Sequence, residues 1–448
     1  MKLINNTKDF LTLLNLDGES SLPIRNFQID SRKVQKNSVF FGLNGSNENG
    51  SLYAEDAIKN GASLAIVKKR KTANSIFNSS KLIKVESPED VLIQAAEIAM
   101  ERYEGNIIGV TGSNGKTTTK NILNSCIKDS YATYQNYNNE IGLPLCALEL
   151  DSQKSTAIFE MGAAKMGDID LLSKIIKPNI GIITHIGHSH LDGLNSVQGV
   201  LKVKSELINN IKQNGSAIVP DGKYLNYWKK IRNDITFYTF GEKSSASYFP
   251  TKIKMSKRGL SFFIESMHLK KRILVKTRLI GMHNVLNILA SFAAIHICQL
   301  NIEGFLDGLR RLQNPPQRLD LKTWVKQSQV IDDTYNANPD SMRAAIDVLC
   351  QFKGRKIAIL GDMAELGRYR KKLHIAVGDY AKIHGVDCLL GYGDLIRHAV
   401  FAYGDNAFFF NKKTELMDFL KKNLVGKEKI LIKGSRSMRM EEILELWK

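Results

Sequence analysis

Short apolar runs alternate with longer amphipathic stretches along most of the chain. Beyond residue 105, β-rich runs occur at residues 107–110, 156–159, 180–184 and 217–219. Strands separated by helical stretches are typical of a parallel sheet with crossover helices. The alternation resumes at residues 330–332, 356–360, 387–390 and 429–432, which predicts a second, doubly wound sheet.

The first 85 residues have a smaller α/β pattern of their own. An alternating strand spans 38–43, a helical stretch ends at Gly61, and a second strand spans 63–67. The segment Ser87-Pro88-Glu89-Asp90 has the features of a helix start: a serine cap, a proline at the first helical position and acids in the first turn. A second region is therefore expected to begin there.

The chain is long enough for several domains. Its 448 residues exceed the length at which a single core stops growing. Asn314-Pro315-Pro316 cannot continue a helix and marks a second boundary. We therefore predict an α/β protein with a small N-terminal domain (1–85), a central parallel-sheet domain (86–314) and a C-terminal Rossmann-like domain (315–448). Residues 260–264 and 273–280 are expected to form an antiparallel appendage of the central domain.

The clearest chemical signal lies between the first strand of the central domain and the helix that follows it. Residues 107–119 read Ile-Ile-Gly-Val-Thr-Gly-Ser-Asn-Gly-Lys-Thr-Thr-Thr. Gly112 and Gly115 let the backbone approach an anion, Lys116 reaches terminal phosphates, and the Thr117 hydroxyl can hold Mg²⁺. The strict motif has glycine at position 110, where this chain has valine. The order of strand, loop and helix favours phosphate binding over a simple tight turn before a surface lysine.

The loop Thr111-Gly-Ser-Asn-Gly-Lys-Thr117 resembles that of the Mur ligases and their folylpolyglutamate synthetase relatives. Further similar segments begin at Asp30, Asn136, Glu160, His190, Lys204, Gly281, Gln317, Asp332, Gly361 and Lys433, so the resemblance covers nearly the whole chain. Tyr335-Asn-Ala-Asn-Pro339 and Gly361-Asp-Met-Ala-Glu-Leu-Gly367 are most similar to the branch of this family that adds D-alanyl-D-alanine to a UDP-N-acetylmuramoyl-tripeptide.

The resemblance implies an ATP site, two Mg²⁺ ions and catalytic roles for Lys116, His190 and Lys204. The residues implied for ATP are Thr111, Gly112, Ser113, Asn114, Gly115, Lys116, Thr117, Thr118, Asn284, Arg318 and Asp333. Those implied for metal are Thr117, Glu160, His190 and Lys204, the last as a carbamate formed with CO2.

Several of these residues also have an ordinary structural interpretation. Asn284 is expected to open a helix at 284–299 and is either an adenine reader or only a cap. His185 and His188 are expected to be packing or surface residues. Lys204 is either the modified lysine or a surface lysine, free or paired with Glu206, and Lys202 should lie on a different helix face.

The resemblance also implies two further binding regions. Asp30, Ser31 and Arg32 are expected to meet the uridine nucleotide, although the Asp-Gly-His of the family is replaced here by Asn49-Gly50-Ser51. Asn336 and Asn338 are expected to meet the incoming dipeptide, with a turn before Pro339 as the alternative.

The implied reaction is ATP-dependent ligation through an acyl phosphate, in peptidoglycan synthesis. A sister ligase that adds a different amino acid, a nucleic-acid-dependent ATPase and an inactive scaffold are the alternatives. Intact Lys116, Glu160, His190 and Lys204 argue against a scaffold.

The net charge of +18 suits polyanionic substrates. The densest basic run, residues 68–71, is expected to be solvated surface, and no motif that reads nucleic acid is evident. Five scattered cysteines are expected to be buried, reduced thiols. With no signal peptide or apolar span recognised, the protein is expected to be cytoplasmic, without membrane insertion, and monomeric.

Overall fold

The computed structural model describes residues 2–18, 20–45, 48–69, 79–256 and 259–446. The N-terminal part forms a four-stranded parallel sheet in the order β1-β2-β3-β4. Its elements are α1 (Thr7–Leu13), β1 (Asn26–Gln28), β2 (Ser38–Gly42), α2 (Ala54–Lys59), β3 (Ala62–Lys68) and β4 (Leu82–Val85).

The central part is built on a six-stranded, all-parallel sheet in the order β10-β9-β8-β5-β7-β6. A three-stranded antiparallel sheet, β11-β12-β13, is attached to it. The elements are α3 (Pro88–Glu101), β5 (Asn106–Thr111), α4 (Lys116–Cys126), β6 (Ser130–Ala132), α5 (Gly142–Glu149), β7 (Thr156–Glu160), α6 (Asp168–Ile176), β8 (Ile180–Ile183), α7 (Leu191–Leu194), α8 (Val197–Asn209), β9 (Ser216–Pro220), α9 (Leu225–Ile231), β10 (Thr236–Phe240), β11 (Phe249–Ser256), β12 (Gly259–Glu265), β13 (Ile273–Thr277), α10 (Met282–Ile297) and α11 (Ile302–Arg311).

The C-terminal part contains a second six-stranded sheet in the order β14-β15-β19-β16-β17-β18. All its pairs are parallel except β14 with β15. The elements are β14 (Asp320–Thr323), β15 (Gln329–Asp333), α12 (Pro339–Cys350), β16 (Lys356–Gly361), α13 (Arg370–Ile383), β17 (Cys388–Tyr392), α14 (Arg397–Tyr403), β18 (Ala407–Phe410), α15 (Lys413–Asn423), β19 (Lys429–Lys433) and α16 (Glu442–Glu445).

Burial explains why the central strands form where they do. Every residue of β7 is buried, as is every residue of β5 after the first, because helices cover both faces of this sheet. Continuous apolar runs are what a parallel sheet covered on both sides requires. The carboxyl ends of β5, β7 and β8 consequently meet at one edge, which is where α/β sheets hold their ligands.

The predicted α/β class is confirmed, and Ser87 caps α3 by accepting a hydrogen bond from Asp90 N at 3.1 Å. The expected antiparallel appendage is confirmed, because β12 pairs with β13 in the antiparallel sense. The strand expected at 273–280 ends earlier, at Thr277, and Leu279 and Ile280 are buried beyond it. Helix α10 begins at Met282 after Gly281, so Asn284 lies inside the first turn and does not cap it.

The fold also bears on the compositional expectations. All five cysteines are free; Cys126, Cys146 and Cys388 are buried, whereas Cys298 and Cys350 are partly exposed. Within the described residues, none of the helices combines the length and apolar character needed to cross a membrane. Residues 70 and 71 of the basic run at 68–71, which is predicted to be solvated surface, lie outside the described part of the chain.

Candidate active site

The phosphate loop joins the end of β5 to the start of α4. Lys116 Nζ donates to the carbonyl of Gly112 at 2.7 Å, so the side chain folds back over its own loop. Ser113 N donates to the His185 carbonyl at 2.8 Å, and Thr184 Oγ1 donates to the Asn114 carbonyl at 2.5 Å. These bonds fasten the loop to the segment after β8. The start of α4 at Lys116 is a helix N-terminus, whose backbone amides can bind an anion.

Two glycines are needed for packing as well as for backbone shape. Gly112 has φ +147°, and a Cβ there would lie 2.1 Å from Thr184 Oγ1. Gly115 has φ +85°, and a Cβ there would lie 2.3 Å from Asn287 Oδ1. Val110 pairs with Glu160 and Ile182 inside the sheet, so position 110 belongs to the strand and makes no turn.

Glu160 is the buried carboxylate at the end of β7. Its Oε1 accepts from Thr117 Oγ1 at 3.1 Å and from Asn138 Nδ2 at 3.0 Å. Its Oε2 accepts no hydrogen bond, although Lys120 Nζ lies 3.5 Å away. A carboxylate oxygen without a donor beside a hydroxyl matches the oxygen ligands that Mg²⁺ prefers.

Positive charge gathers around this carboxylate. Burial lowers the pKa of Lys116; Glu160 opposes that shift, and nearby Arg318 adds to it. Arg318 Nη2 donates to Thr117 Oγ1 at 3.3 Å, and the guanidinium stacks 3.9 Å from the centre of the Tyr335 ring. The C-terminal part thus places a cation directly at the phosphate loop.

Lys204 lies on α8 and is fully buried. Its Nζ has no hydrogen-bond partner among the described residues, and burial, reinforced by Lys116, holds its pKa well below the ordinary value. Glu206 does not pair with it: the Glu206 carboxylate accepts from Gly167 N at 2.9 Å and from Asp170 N at 3.0 Å. The surface-lysine interpretation is therefore wrong, because water is excluded from the amine. Lys202 is exposed, as its predicted position on another face requires.

The three histidines after β8 occupy different environments. Burial lowers the pKa of His185, whose Nδ1 has no hydrogen-bond partner. His188 N donates to Asp340 Oδ2 at 2.7 Å, and its ring Nδ1 lies 3.3 Å from the same oxygen. His190 adopts φ +50°, and its Nδ1 lies 2.5 Å from Glu365 Oε2. This contact lowers the pKa of Glu365. His188 and His190 therefore both touch the C-terminal part.

A buried ion pair holds the loop after β15. Lys433 Nζ lies 2.6 Å from Asp333 Oδ2 and donates to the carbonyl of Asn336 at 2.8 Å. Asp333 Oδ1 accepts from Leu319 N at 3.1 Å. Both oxygens of Asp333 are thus engaged within its own domain. Asn336 Oδ1 accepts from Ala337 N at 2.8 Å.

Asn284 is buried beside the phosphate loop. Its Nδ2 donates to the carbonyl of Ile280 at 2.7 Å, and its Oδ1 accepts from Asn287 Nδ2 at 3.1 Å. The amide is therefore fixed in orientation, with one Nδ2 hydrogen left over.

A cavity of about 1040 Å³ lies between the central and C-terminal parts. The predicted residues that line it are Ser113, Asn114, Gly115, Lys116, Thr117, Thr118, Glu160, His190, Asn284, Arg318, Asp333, Asn336 and Asn338. Thr111, Gly112 and Lys204 are buried and do not line it. The lining also includes residues to which sequence reasoning gave no role, Asn138, Asp340, Glu365 and Lys433. Each belongs to a segment that resembles the family, which was the available signal.

The segment Asp30–Arg32 lies outside this cavity. Asp30 caps a 3₁₀ turn at Ser31–Lys33, and Arg32 Nε donates to Asp30 Oδ1 at 2.8 Å. The Arg32 side chain is 87% exposed. Arg32 therefore stands on an open surface of the N-terminal part, paired with its own neighbour.

The predicted metal ligands do not include a dense cluster of acids and imidazoles. Among the residues described, no three His, Cys, Asp or Glu side chains lie together in a group that could hold a metal. Mg²⁺ commonly takes only one or two carboxylates and completes its shell with water and substrate phosphates. Thr117 and Glu160 fit that donor set, and the unpartnered Lys204 amine fits conversion to a carbamate.

Three family models match successive parts of the chain. They are described as Mur ligase family, catalytic domain (residues 23–104), Mur ligase middle domain (110–295) and Mur ligase, glutamate ligase domain (317–436). The chain belongs to the Mur ligase family.

The similar relatives include UDP-N-acetylmuramoyl-tripeptide–D-alanyl-D-alanine ligases. That of Buchnera aphidicola subsp. Baizongia pistaciae is 32% identical, with 99% of this chain and 97% of the relative covered. That of Bacillus subtilis is 32% identical, with 97% and 95% covered. Among solved structures, MurF from Acinetobacter baumannii has a TM-score of 0.90 at 27% identity, covering 98% of each chain. MurF ligase from Thermotoga maritima in complex with ADP has a TM-score of 0.83 at 27% identity, covering 94% of this chain and 97% of that one.

Proposed function

We propose that the chain joins D-alanyl-D-alanine to UDP-N-acetylmuramoyl-tripeptide and converts ATP to ADP and phosphate as it does so, in peptidoglycan synthesis. The observation that carries the proposal is the cavity, whose one wall is the phosphate loop and whose other wall carries Asn336 and Asn338. Relatives that carry this activity by name match the chain over nearly its full length.

The reaction runs in two steps. The terminal carboxylate of the tripeptide attacks the γ-phosphorus of ATP, and ADP leaves, giving an acyl phosphate. The free amine of the dipeptide then attacks the acyl carbon and loses a proton, and phosphate leaves as the amide forms. Both partners are anionic, so the protein contributes mainly alignment and positive charge. Lys116 and Arg318 supply that charge at the loop.

Thr117 and Glu160 would hold one Mg²⁺ ion, and His190 with carbamylated Lys204 would hold a second. Such ions neutralise phosphate oxygens when bound. Lys204 supports the modification because only a neutral amine reacts with CO2, and burial beside Lys116 favours the neutral form. Conversion to a carbamate replaces this amine, which would repel a metal if it were protonated, with an anion that attracts one.

The remaining site residues are assigned by the same proposal. Asn284 and Asp333 contact the nucleoside part of ATP, with Asn284 using its spare amide hydrogen. Asn336 and Asn338 meet the dipeptide. Asp30, Ser31 and Arg32 bind the uridine nucleotide on the N-terminal surface, where the Arg32 guanidinium is exposed.

The test is phosphate release from ATP with the tripeptide nucleotide present. D-alanyl-D-alanine, single amino acids, a folate acceptor pair and nucleic acid are compared as stimulants. We expect the dipeptide to stimulate phosphate release at least about 100-fold more than single amino acids do. A site that binds its substrate through polar contacts rejects analogues that cannot make those contacts. Stimulation by a single amino acid instead identifies a sister ligase, and stimulation by DNA or RNA identifies an ATPase of another class; either result overturns the proposal.

A further inference from the structure

A reciprocal pair of side-chain amides joins the phosphate loop to the start of α12. Asn338 Nδ2 donates to Asn114 Oδ1 at 2.8 Å, and Asn114 Nδ2 donates to Asn338 Oδ1 at 3.2 Å. The two residues are 224 positions apart and belong to opposite walls of the cavity. Each amide acts as donor and acceptor to the other, so the contact is lost when the walls separate.

The Asn338 amide and the backbone of Asn114 are each held in place by bonds within their own wall of the cavity. Asn338 Oδ1 also accepts from Ser341 N at 2.9 Å, and Asn338 N donates to Ser341 Oγ at 3.0 Å, which forms a capping box. The Asn114 carbonyl is fixed by Thr184 Oγ1. The Asn338 side chain therefore loses little entropy when the pair forms, and the contact keeps more of its hydrogen-bond energy.

Neighbouring contacts are arranged to support the same closure. Asp340, two residues along α12, accepts from the backbone N–H of His188. Arg318, from the same domain, reaches Thr117. The amide pair differs from these contacts in the two sites that it joins. Asn114 belongs to the phosphate loop, whereas Asn338 caps α12 and is proposed to meet the dipeptide.

We infer that Asn114 and Asn338 are positioning residues that hold the two walls together, so that Asn338 strengthens nucleotide binding from outside the nucleotide loop. Arg318 and Asp333 line the same cavity as the loop and lie on its C-terminal wall. When only a fraction of the molecules has the binding-competent arrangement, the measured affinity for the ligand is reduced in proportion to that fraction. Loss of the amide pair lowers the fraction of molecules in which the two walls are in contact. The ligand identities rest on the proposed function.

A double-mutant cycle on the full-length enzyme tests the inference. The dissociation constant of a non-hydrolysable ATP analogue with Mg²⁺ is measured for wild type, Asn114→Ala, Asn338→Ser and the double variant. Serine preserves the helix cap but is too short to reach Asn114. Each single change is expected to weaken binding about 5- to 10-fold, the loss of one or two net hydrogen bonds. The double variant is expected to bind no more than about twofold more weakly than the weaker single variant.

Two further variants make the result specific. Asn338→Asp keeps the cap and the contact from Asn114 Nδ2, but it sets a carboxylate oxygen against Asn114 Oδ1 and adds a negative charge beside the phosphate loop, so binding at least as weak as that of Asn338→Ser is expected. Asn336→Ser is the matched control, because the Asn336 side chain bonds only within its own loop. The fold-change that Asn336→Ser causes in the dissociation constant of the ATP analogue should multiply with that of Asn114→Ala, because the two side chains do not contact each other. In steady-state kinetics, Asn338→Ser should raise both the KM for the dipeptide and the KM for ATP.

The opposing results are distinct. If the Asn114 and Asn338 effects multiply, the two residues act independently and the inference is overturned, even when dipeptide-dependent turnover is intact. Because the measurement uses a nucleotide analogue and no dipeptide, coupling that persists without any D-alanyl-D-alanine-dependent turnover overturns only the proposed function.

Discussion

The phosphate loop and the Asp30–Arg32 segment are both proposed anion-binding regions, yet they are built in opposite ways. Loop residues are tied to the segment after β8 by backbone and hydroxyl contacts, and Lys116 is folded over Gly112. Arg32 is exposed and paired only with Asp30 two residues away. An interior site excludes water and strengthens each charge, whereas a surface site is screened. The same residue chemistry therefore predicts very different energetic contributions in the two places.

The largest effect is expected at the interior site. Lys116→Ala removes the charge facing the phosphates while keeping both loop glycines, and should lower kcat about 100- to 1000-fold. Acyl-phosphate formation, measured as tripeptide-dependent ADP release, reports this step. If the variant keeps activity within about tenfold of wild type, the interior site does not contribute more than the surface site. Removing a charged contact from a site that excludes water typically lowers kcat by more than that.

A second large effect is expected at Lys204, which is buried without a partner. Lys204→Ala should lose activity and regain part of it with formate or acetate, because a small carboxylate can occupy the place of the carbamate. Lys202→Ala on the exposed face of the same helix is the control and should stay near wild type. Full activity of Lys204→Ala without added acid contradicts the carbamate assignment.

The surface segment should respond more weakly. Arg32→Ala is expected to raise the KM for the UDP-substrate about tenfold, the loss of one charged hydrogen bond, with kcat and the KM for ATP unchanged. The effect should shrink as salt is added, because the side chain is open to solvent. Steady-state kinetics at low and high ionic strength measure both properties. An unaffected KM for the UDP-substrate would place the uridine nucleotide elsewhere.

The smallest effect is expected where the N-terminal part is fastened to the central part. Glu149 lies 2.6 Å from Lys2 Nζ and accepts from Phe27 N at 2.7 Å. Glu149→Gln keeps an acceptor for Phe27 and loses only the ion pair, so the free energy of unfolding should fall by about 0.2–1 kcal/mol. Denaturant unfolding measures it. A larger loss would mean that this attachment depends on charge.

The strand, loop and helix of the interior site could be predicted from the sequence because their signals are local. Strand, glycine loop and helix follow one another at positions 107–119, and helical periodicity separates Lys202 from Lys204. The contacts of Asn138 with Glu160 and of Asp340 with His188 could not be predicted this way, because they depend on how distant segments meet. Strands β14 and β18 were missed because each is a four-residue edge strand; β14 (Asp-Leu-Lys-Thr) also has a weak apolar pattern, whereas β18 (Ala-Phe-Phe-Phe) is apolar but short.

The cavity between two domains also sets a requirement on timing. A ligand that touches the phosphate loop and α12 at once is held from both sides, so we expect ADP, phosphate and the lengthened peptide to leave after the walls part. Every catalytic cycle then contains an opening motion through solvent. The drag of the surrounding liquid acts on that motion and not on bond making, so a viscous medium slows turnover wherever opening is the slower event.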